Sequence, residues 1–583
     1  MWTALAVSAV LAAAPLTSFS ERSGWMKTGR YEEVERLCKA FQARYPTRAR
    51  CVSFGTTPQG RSMVVLVLSD DGTLTPAQAR AKKRPVVLFQ GGIHAGEIDG
   101  KDAGMWLARD LLEGKAAPGA LKQLTAVFVP VFNIDGHERF GPNQRPNQNG
   151  PESMGWRVTA QNINLNRDYM KADAPEMVAM LTLLNAWDPL VYMDLHVTDG
   201  AQFQPDVALL MNAPEQNPVA QAVVKALEAP VFETLRKQGH TPLDFYPNFL
   251  LDDEPLSGFV KGVPTPRFST GYWALRNRIA VLVETHSWKD YSTRVKTTYD
   301  VLDATLTQVA ANGADWYAKL HAEDERLRED VLPTLAVTFR SDVLKPTVKR
   351  KIEFAGYAFR KETASVSGKP YVVYDVKTPQ VWKVPYFSEM LPEVTVTLPR
   401  AGYLVPAEEA SWVAAKLNAH GIHFTKLSRT QTLPVQTFRA LETKWQAESY
   451  EGRQQLAVKG SWQPETREVR AGALFVPVAQ ETQRVIAGLF EPLAPDSFLG
   501  WGFFNGAFEQ KEYIERYVLE PWAKQLLATH PEVKADFDAR LKDAAFAKDP
   551  AARTRYFAQR HPSWDERLNL YPVFRTDTVP TAK

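Results

Sequence analysis

The stretch Val86-Val87-Leu88-Phe89-Gln90-Gly91-Gly92-Ile93-His94-Ala95-Gly96-Glu97 decides how the first half of the chain is read. Its first four positions are apolar, the pattern of a short strand covered on both faces. Two glycines then permit a sharp turn. His94 and Glu97 fall inside that turn. Open α/β sheets bind ligands outside the carboxyl ends of their strands. A His-x-x-Glu pair is common by chance, but this place in a Gly-rich strand-to-helix turn makes it a candidate for chemistry.

Working outward, further apolar runs predict strands over 63–68, 126–132, 190–195, 207–211 and 279–283. Between them the apolar period is helical, over 31–45 and 99–112. Another helix is predicted after Asp173, with Asp173 as its cap, Pro175 in its first turn and Glu176 three positions on. Its Met177, Met180, Leu181 and Leu184 form a stripe for core packing. Strands alternating with helices predict an α/β domain, a mixed sheet with helices on both faces. The character changes near 325, where a charged helix end leads into a linker. Residues 333–405 then read as strands, and 406–583 as mixed to helical.

Composition narrows the function classes. The chain has 583 residues, 45% of them hydrophobic and 23% charged, so it can bury a large core and is not disordered. A net charge of +3 gives no basic face for nucleic acid. Two cysteines exclude a Cys₄ zinc site. Cys38 and Cys51 pair in a disulfide if the protein is exported, and are buried thiols otherwise. The apolar run 2–16, with Ala12-Ala13-Ala14 near its end, reads as a secretory signal peptide. It is too short for a membrane span, and no other segment is apolar enough to be one. The predicted division is 1–20 signal, 21–328 catalytic domain and 329–583 accessory region, with secreted or periplasmic localisation.

The chemistry gathers at strand ends. The predicted strand 190–195 runs into His196, and 279–283 runs into Glu284. Two His and one Glu with an open fourth position make a catalytic zinc site. A carboxylate after five apolar residues is costly to bury without a partner or a task, and a general base beside the metal water is such a task. Between them lie Asn133-Ile134-Asp135-Gly136, Trp156-Arg157 and Asn164-Leu165-Asn166-Arg167. Arg157 and Arg167 are suited to a carboxylate or a developing oxyanion, because guanidinium pairs with such groups bidentately.

This ordered series resembles the zinc carboxypeptidases of the carboxypeptidase A type, the M14 metallopeptidases, over roughly residues 30 to 300. The segment Phe54-Gly55-Thr56-Thr57-Pro58-Gln59-Gly60-Arg61 is also similar to one early in that family. The resemblance implies one zinc ion held by His94, Glu97 and His196. It implies Glu284 as the base, Arg157 at the oxyanion, and Asn166 with Arg167 on the terminal carboxylate of a peptide or peptide-like substrate. Three departures stand out. Asn164 occupies the place of an Asp that orients the first zinc histidine. The substrate-capping Tyr has no clean match, with Tyr272 as a stand-in and Tyr246 as a second. The position that sets side-chain preference falls near Gly271, without an Asp to select basic residues. The implied activity is a zinc metallocarboxypeptidase. The alternatives are an amidase, deacylase or peptidoglycan-trimming hydrolase on the same fold, or a non-catalytic binding protein.

Overall fold

The computed structural model describes residues 15–211, 217–344 and 350–581. The apolar leader over 2–14 lies outside the described residues. The first part of the chain contributes β1 (Ala49–Thr56), β2 (Ser62–Leu68), β3 (Val86–Gly91), β4 (Thr125–Val129), β5 (Val191–Val197), β6 (Val207–Leu210), β7 (Pro242–Leu243), β8 (Phe259–Val260) and β9 (Ile279–Thr285). One eight-stranded mixed sheet has the order β1-β2-β4-β3-β5-β9-β6-β7. Its centre, β4-β3-β5-β9, is parallel. Every residue of β3, β4 and β5 is buried, so both faces are covered. The strand expected over 126–132 stops at Val129 because Pro130 has no N–H for the ladder.

The helices Asp99–Glu113, Pro218–Lys237 and Tyr291–Glu329 pack with one another and against the central strands, while Tyr31–Arg44 and Pro175–Trp187 pack against β1. The Tyr31–Arg44 helix is joined to β1 by a disulfide between Cys38 and Cys51, so the bonded alternative is the one realised. Asp173 does not cap the helix Pro175–Trp187, whose N-cap is Ala174 without a side-chain bond. The acceptor comes from Asp168, whose carboxylate takes the amides of Asp173 (3.1 Å) and Ala174 (2.8 Å). Asp173 is thereby free to pair with Lys416 and Arg453 from the far end of the chain.

The C-terminal region begins with β10 (Thr334–Ser341), β11 (Lys351–Thr363), β12 (Pro370–Phe387) and β13 (Met390–Thr397). It continues with β14 (Gly402–Val405), β15 (Thr425–Lys426), β16 (Gln431–Trp445), β17 (Leu456–Val469), β18 (Leu474–Pro477) and β19 (Phe574–Thr576). β11 and β12 form a long antiparallel hairpin onto which β8 adds in parallel. A six-stranded sheet has the order β15-β18-β14-β19-β16-β17. The helices expected after 477 include Arg516–Thr529, Pro531–Arg540 and Pro550–Ala558, with a small core of their own around Phe537 and Tyr556. The expected linker is only 330–333, and Gln483 ties it down by accepting from the Leu332 amide and donating to the Asp330 carbonyl. Phe438, Phe490 and Phe498 belong to the same continuous core as β3 and β5.

One buried ion pair organises the sheet's carboxyl end. Arg294 has no exposure, and its Nε lies 2.9 Å from Asp99 Oδ2. Asp99 opens the helix after the His94–Glu97 turn and also accepts from the hydroxyl of Thr285, next to Glu284, at 2.9 Å. The rest of the guanidinium donates to the carbonyls of Asn149 (2.6 Å), Gly150 (2.8 Å) and Lys289 (2.6 Å). Removing one partner of a buried pair leaves an uncompensated charge. Arg294→Met is therefore expected to lower stability by about 3–5 kcal/mol. Urea unfolding followed by tryptophan fluorescence checks this, and a loss under about 1 kcal/mol would show that the pair is not the anchor.

Candidate metal centre and cleft

Three parallel strands bring the site together. In the registered ladder Gly91 lies beside Leu195, and His196 lies beside Glu284. The turn after β3 works because Gly92 has φ +63° and because a Cβ on Gly96 would meet the Gly155 carbonyl at 2.7 Å. This compact turn places His94 and Glu97 above the end of β5. His94, Glu97 and His196 are all buried, and their ligand atoms converge within 4.8 Å.

The donor set fits a divalent metal. His94 Nδ1 lies 2.8 Å from Glu97 Oε1, and His196 Nδ1 lies 2.9 Å from Glu97 Oε2. The outer nitrogens face away. His94 Nε2 meets Asn164 Oδ1 at 3.2 Å. His196 Nε2 lies 2.9 Å from Asp194 Oδ2, close enough for an ion pair but without hydrogen-bond alignment. Asp194 is itself steadied by Gln90 at 2.9 Å. Outer partners of this kind fix the tautomer of a metal-binding histidine. Asn164 therefore does the orienting task by its carbonyl oxygen, without a charge. Burial pushes the His94 imidazole down to about 4, so it is neutral and its lone pair is available.

Glu284 is buried in the same cleft. Burial pushes its carboxyl up to about 8, and the neighbouring Glu97 carboxylate adds to this against the pull of His196. A base wants a pKa near the working pH, and a cation alongside would draw this one down.

The cleft, about 370 Å³, brings together Arg157, Asn166 and Arg167 with the metal-site residues. Asn133 Nδ2 holds the Arg157 carbonyl at 3.0 Å, and the Asn133 side chain also caps the turn at Gly136. Asp135 of the same segment accepts from Thr57 (2.8 Å) and the Gln59 amide (3.1 Å), and pairs with Arg61. The early Gly-rich segment is thus a brace for the loop that carries Arg157.

Tyr272 is a correction. It sits in the helix Ser269–Leu275, fully buried, with its hydroxyl 2.9 Å from His420 Nδ1. That helix turns Ser269 and Thr270 to the cleft and Tyr272 to the core. Tyr246 is the tyrosine at the cleft, its hydroxyl donating to Asp199 at 3.1 Å. Gly271 also lies away from the cleft, with no room for a side chain beneath the Thr265 carbonyl.

Sequence reading missed three cleft residues. Arg145 Nη2 lies 2.8 Å from Glu97 Oε1 and donates to the Val197 carbonyl at 3.1 Å. It stands in a Pro/Asn/Gln-rich loop with no motif to mark it. Leu210 and Leu282 lie opposite each other across β6 and β9, both half-buried, and line the cleft with apolar surface. Their runs read only as strands.

Residues 34–245 match the Peptidase_M14 family model, described as zinc carboxypeptidase. Carboxypeptidase A4 of Mus musculus is 31% identical over 124 residues, which cover 20% of this chain and 28% of that protein. Inactive metallocarboxypeptidase ecm14 of Schizosaccharomyces pombe is 28% identical over 123 residues, 20% of this chain and 24% of that protein. The matches thus span under a third of the length of either relative. Among solved structures, carboxypeptidase A from Helicoverpa armigera superposes with a TM-score of 0.37 at 14% identity, covering 54% of this chain and 81% of that one.

Replacing His196 by Ala removes one of three converging ligands. Metal analysis after dialysis is expected to find about one zinc per chain in the parent and none in His196→Ala, with circular dichroism unchanged. Full occupancy in that variant would refute the assignment.

Proposed function

We propose, on the premise that residues 34–245 belong to the zinc carboxypeptidase family, that the protein is an exported metallocarboxypeptidase that removes apolar C-terminal residues from peptides. The observation that carries this reading is one cleft lined by His94, Glu97, His196 and Glu284 together with Asn166, Arg167 and the leucine pair Leu210 and Leu282. His94, Glu97 and His196 would hold a zinc ion, which would supply Lewis-acid polarisation of a carbonyl and a water of lowered pKa.

The remaining steps belong to the chain's own side chains. Arg167 pairs with the terminal carboxylate, and Asn166 lies beside it. The last side chain of the substrate rests on Leu210 and Leu282, where a charged group would be buried without a partner. Glu284 takes a proton from the attacking water and returns it to the leaving amine. Arg157 and Arg145 stand by the Glu97 carboxylate and face the charge that grows on the carbonyl oxygen. Although one matched relative is named as inactive, the ligands, the base and the arginines are all present here.

One feature supports export, and another bears on where a leader would be cut. The Cys38–Cys51 disulfide suits an oxidising compartment. The chain is packed from Leu16 onward, with Leu16 in the core and Ser18 forming a capping box with Glu21. Processing that keeps Leu16 therefore suits the fold better than a cut after residue 20. Intact-mass analysis of the exported protein is expected to place the mature N-terminus between Ala12 and Leu16. A start beyond Ser20 would contradict it.

A panel of peptides with free and amidated C-termini, ending in leucine, lysine or glutamate, tests the activity by mass spectrometry. The expected result is stepwise loss of single C-terminal residues, leucine fastest. Amidation is expected to cut kcat/KM about 10-fold or more, since a hydrogen bond to a charged group is worth roughly 1.5–3 kcal/mol. Glu284→Gln is expected to lower kcat about 10²-fold or more with zinc retained. Cleavage of internal bonds, or equal rates on both termini, would point instead to the endopeptidase or amidase alternatives.

A further inference from the structure

The turn between β16 and β17, residues 446–455, reaches Arg167, a residue of the cleft, from the C-terminal region. Its Tyr450 hydroxyl accepts a hydrogen bond from Arg167 Nε at 3.0 Å. Arg167 Nη1 donates to the carbonyl of its neighbour Asn166 at 2.7 Å, and the guanidinium sits over Phe268, 4.3 Å from the ring centroid. Among the described residues no carboxylate pairs with Arg167. A long flexible side chain is thus fixed at one edge and one face, with its Nη2 end left for a ligand. The preference of arginine for planar, bidentate partners makes that fixed plane matter.

Tyr450 is itself firmly held. Its ring stacks on Trp501 at 6.0 Å, and the Arg267 guanidinium covers Trp501 at 4.8 Å while pairing with buried Asp496 at 2.6 Å. Arg453, three residues on, pairs with Asp173 at 2.7 Å. Glu451 accepts from the backbone amide of Asn164 at 3.0 Å, the same Asn164 whose side chain steadies His94. Two adjacent residues of one turn therefore fasten the segment 164–167 at both ends.

We propose that Tyr450 is a positioning residue: from outside the family-matched stretch, it sets the plane of Arg167 for the substrate carboxylate. This rests on the carboxypeptidase reading above. It makes the C-terminal region a working part of the cleft and not an appendage.

The test is steady-state kinetics on an N-acylated dipeptide ending in leucine and on its amide, using the full zinc-loaded chain. Tyr450→Phe keeps the stack on Trp501 and removes only the acceptor. KM for the free acid is expected to rise about 5-fold with kcat within about twofold, and the rate on the amide to stay unchanged. Arg167→Lys has no Nε, so adding Tyr450→Phe to it is expected to change KM no further. A further rise in KM in the double variant, or a Tyr450→Phe effect on kcat and melting temperature alike, overturns the proposal in favour of a structural role. If the parent discriminates acid from amide and Tyr450→Phe discriminates equally well, the positioning claim alone fails. If the parent shows no discrimination, the carboxypeptidase reading fails and takes this proposal with it.

Discussion

The cleft depends on Arg294 and Asp99, a charged pair kept from water at 2.9 Å. Its cost is large, because neither charge has solvent and the guanidinium needs acceptors on every side. All three nitrogens of the guanidinium are met, by Asp99 and by carbonyls of two separate loops. The return is geometric. Asp99 belongs to the turn that carries His94 and Glu97, and Thr285 on the same carboxylate belongs to the strand end that carries Glu284. One hub therefore fixes the candidate metal ligands relative to Glu284, a distance that parallel strands alone would leave to the twist of the sheet.

Much of this was legible in the sequence because strand ends announce themselves. His196 and Glu284 follow uninterrupted apolar runs, and the pairing of β5 with β9 turns that shared place into adjacency. The Gly-rich turn at 91–96 was equally plain. Tyr272 misled because likeness of a short segment says nothing about which side of a helix faces the cleft; its hydroxyl is consumed by His420, a residue far along the chain. Arg145 carried no signal, since an arginine in a loop of Pro, Asn and Gln looks like solvent-facing charge until Glu97 is placed beside it.

The C-terminal region was the least legible, for a physical reason. β17 and the ends of β16 alternate half-buried and exposed residues, and many positions are Lys, Arg, Glu or Gln. The two-residue period is present but its apolar half is diluted, so no strand stands out. Within the stretch 333–405, which reads as strands, Pro370–Phe387 is one long strand, β12, whose register with β11 shifts at Tyr357/Ala358. Irregularities of this kind read as turns in a sequence and as bulges in a sheet.

Those long hairpins also explain why the two halves of the chain form one object. β8, between Tyr246 and the cleft wall at Val263, is paired to β12, and Phe245, Phe259, Phe354 and Trp382 pack into one aromatic cluster beneath it. The other wall of the cleft runs through Phe268, next to Arg267, which Asp496 and Trp501 hold. Each wall is therefore backed by residues beyond 350, while the sheet supplies the floor. A core that runs unbroken from Leu16 to Val573 gives no plane along which the halves could separate without exposing apolar surface. The sheet brings His94, Glu97, His196 and Glu284 together at its strand ends, and the later half of the chain sets the shape of the space in front of them.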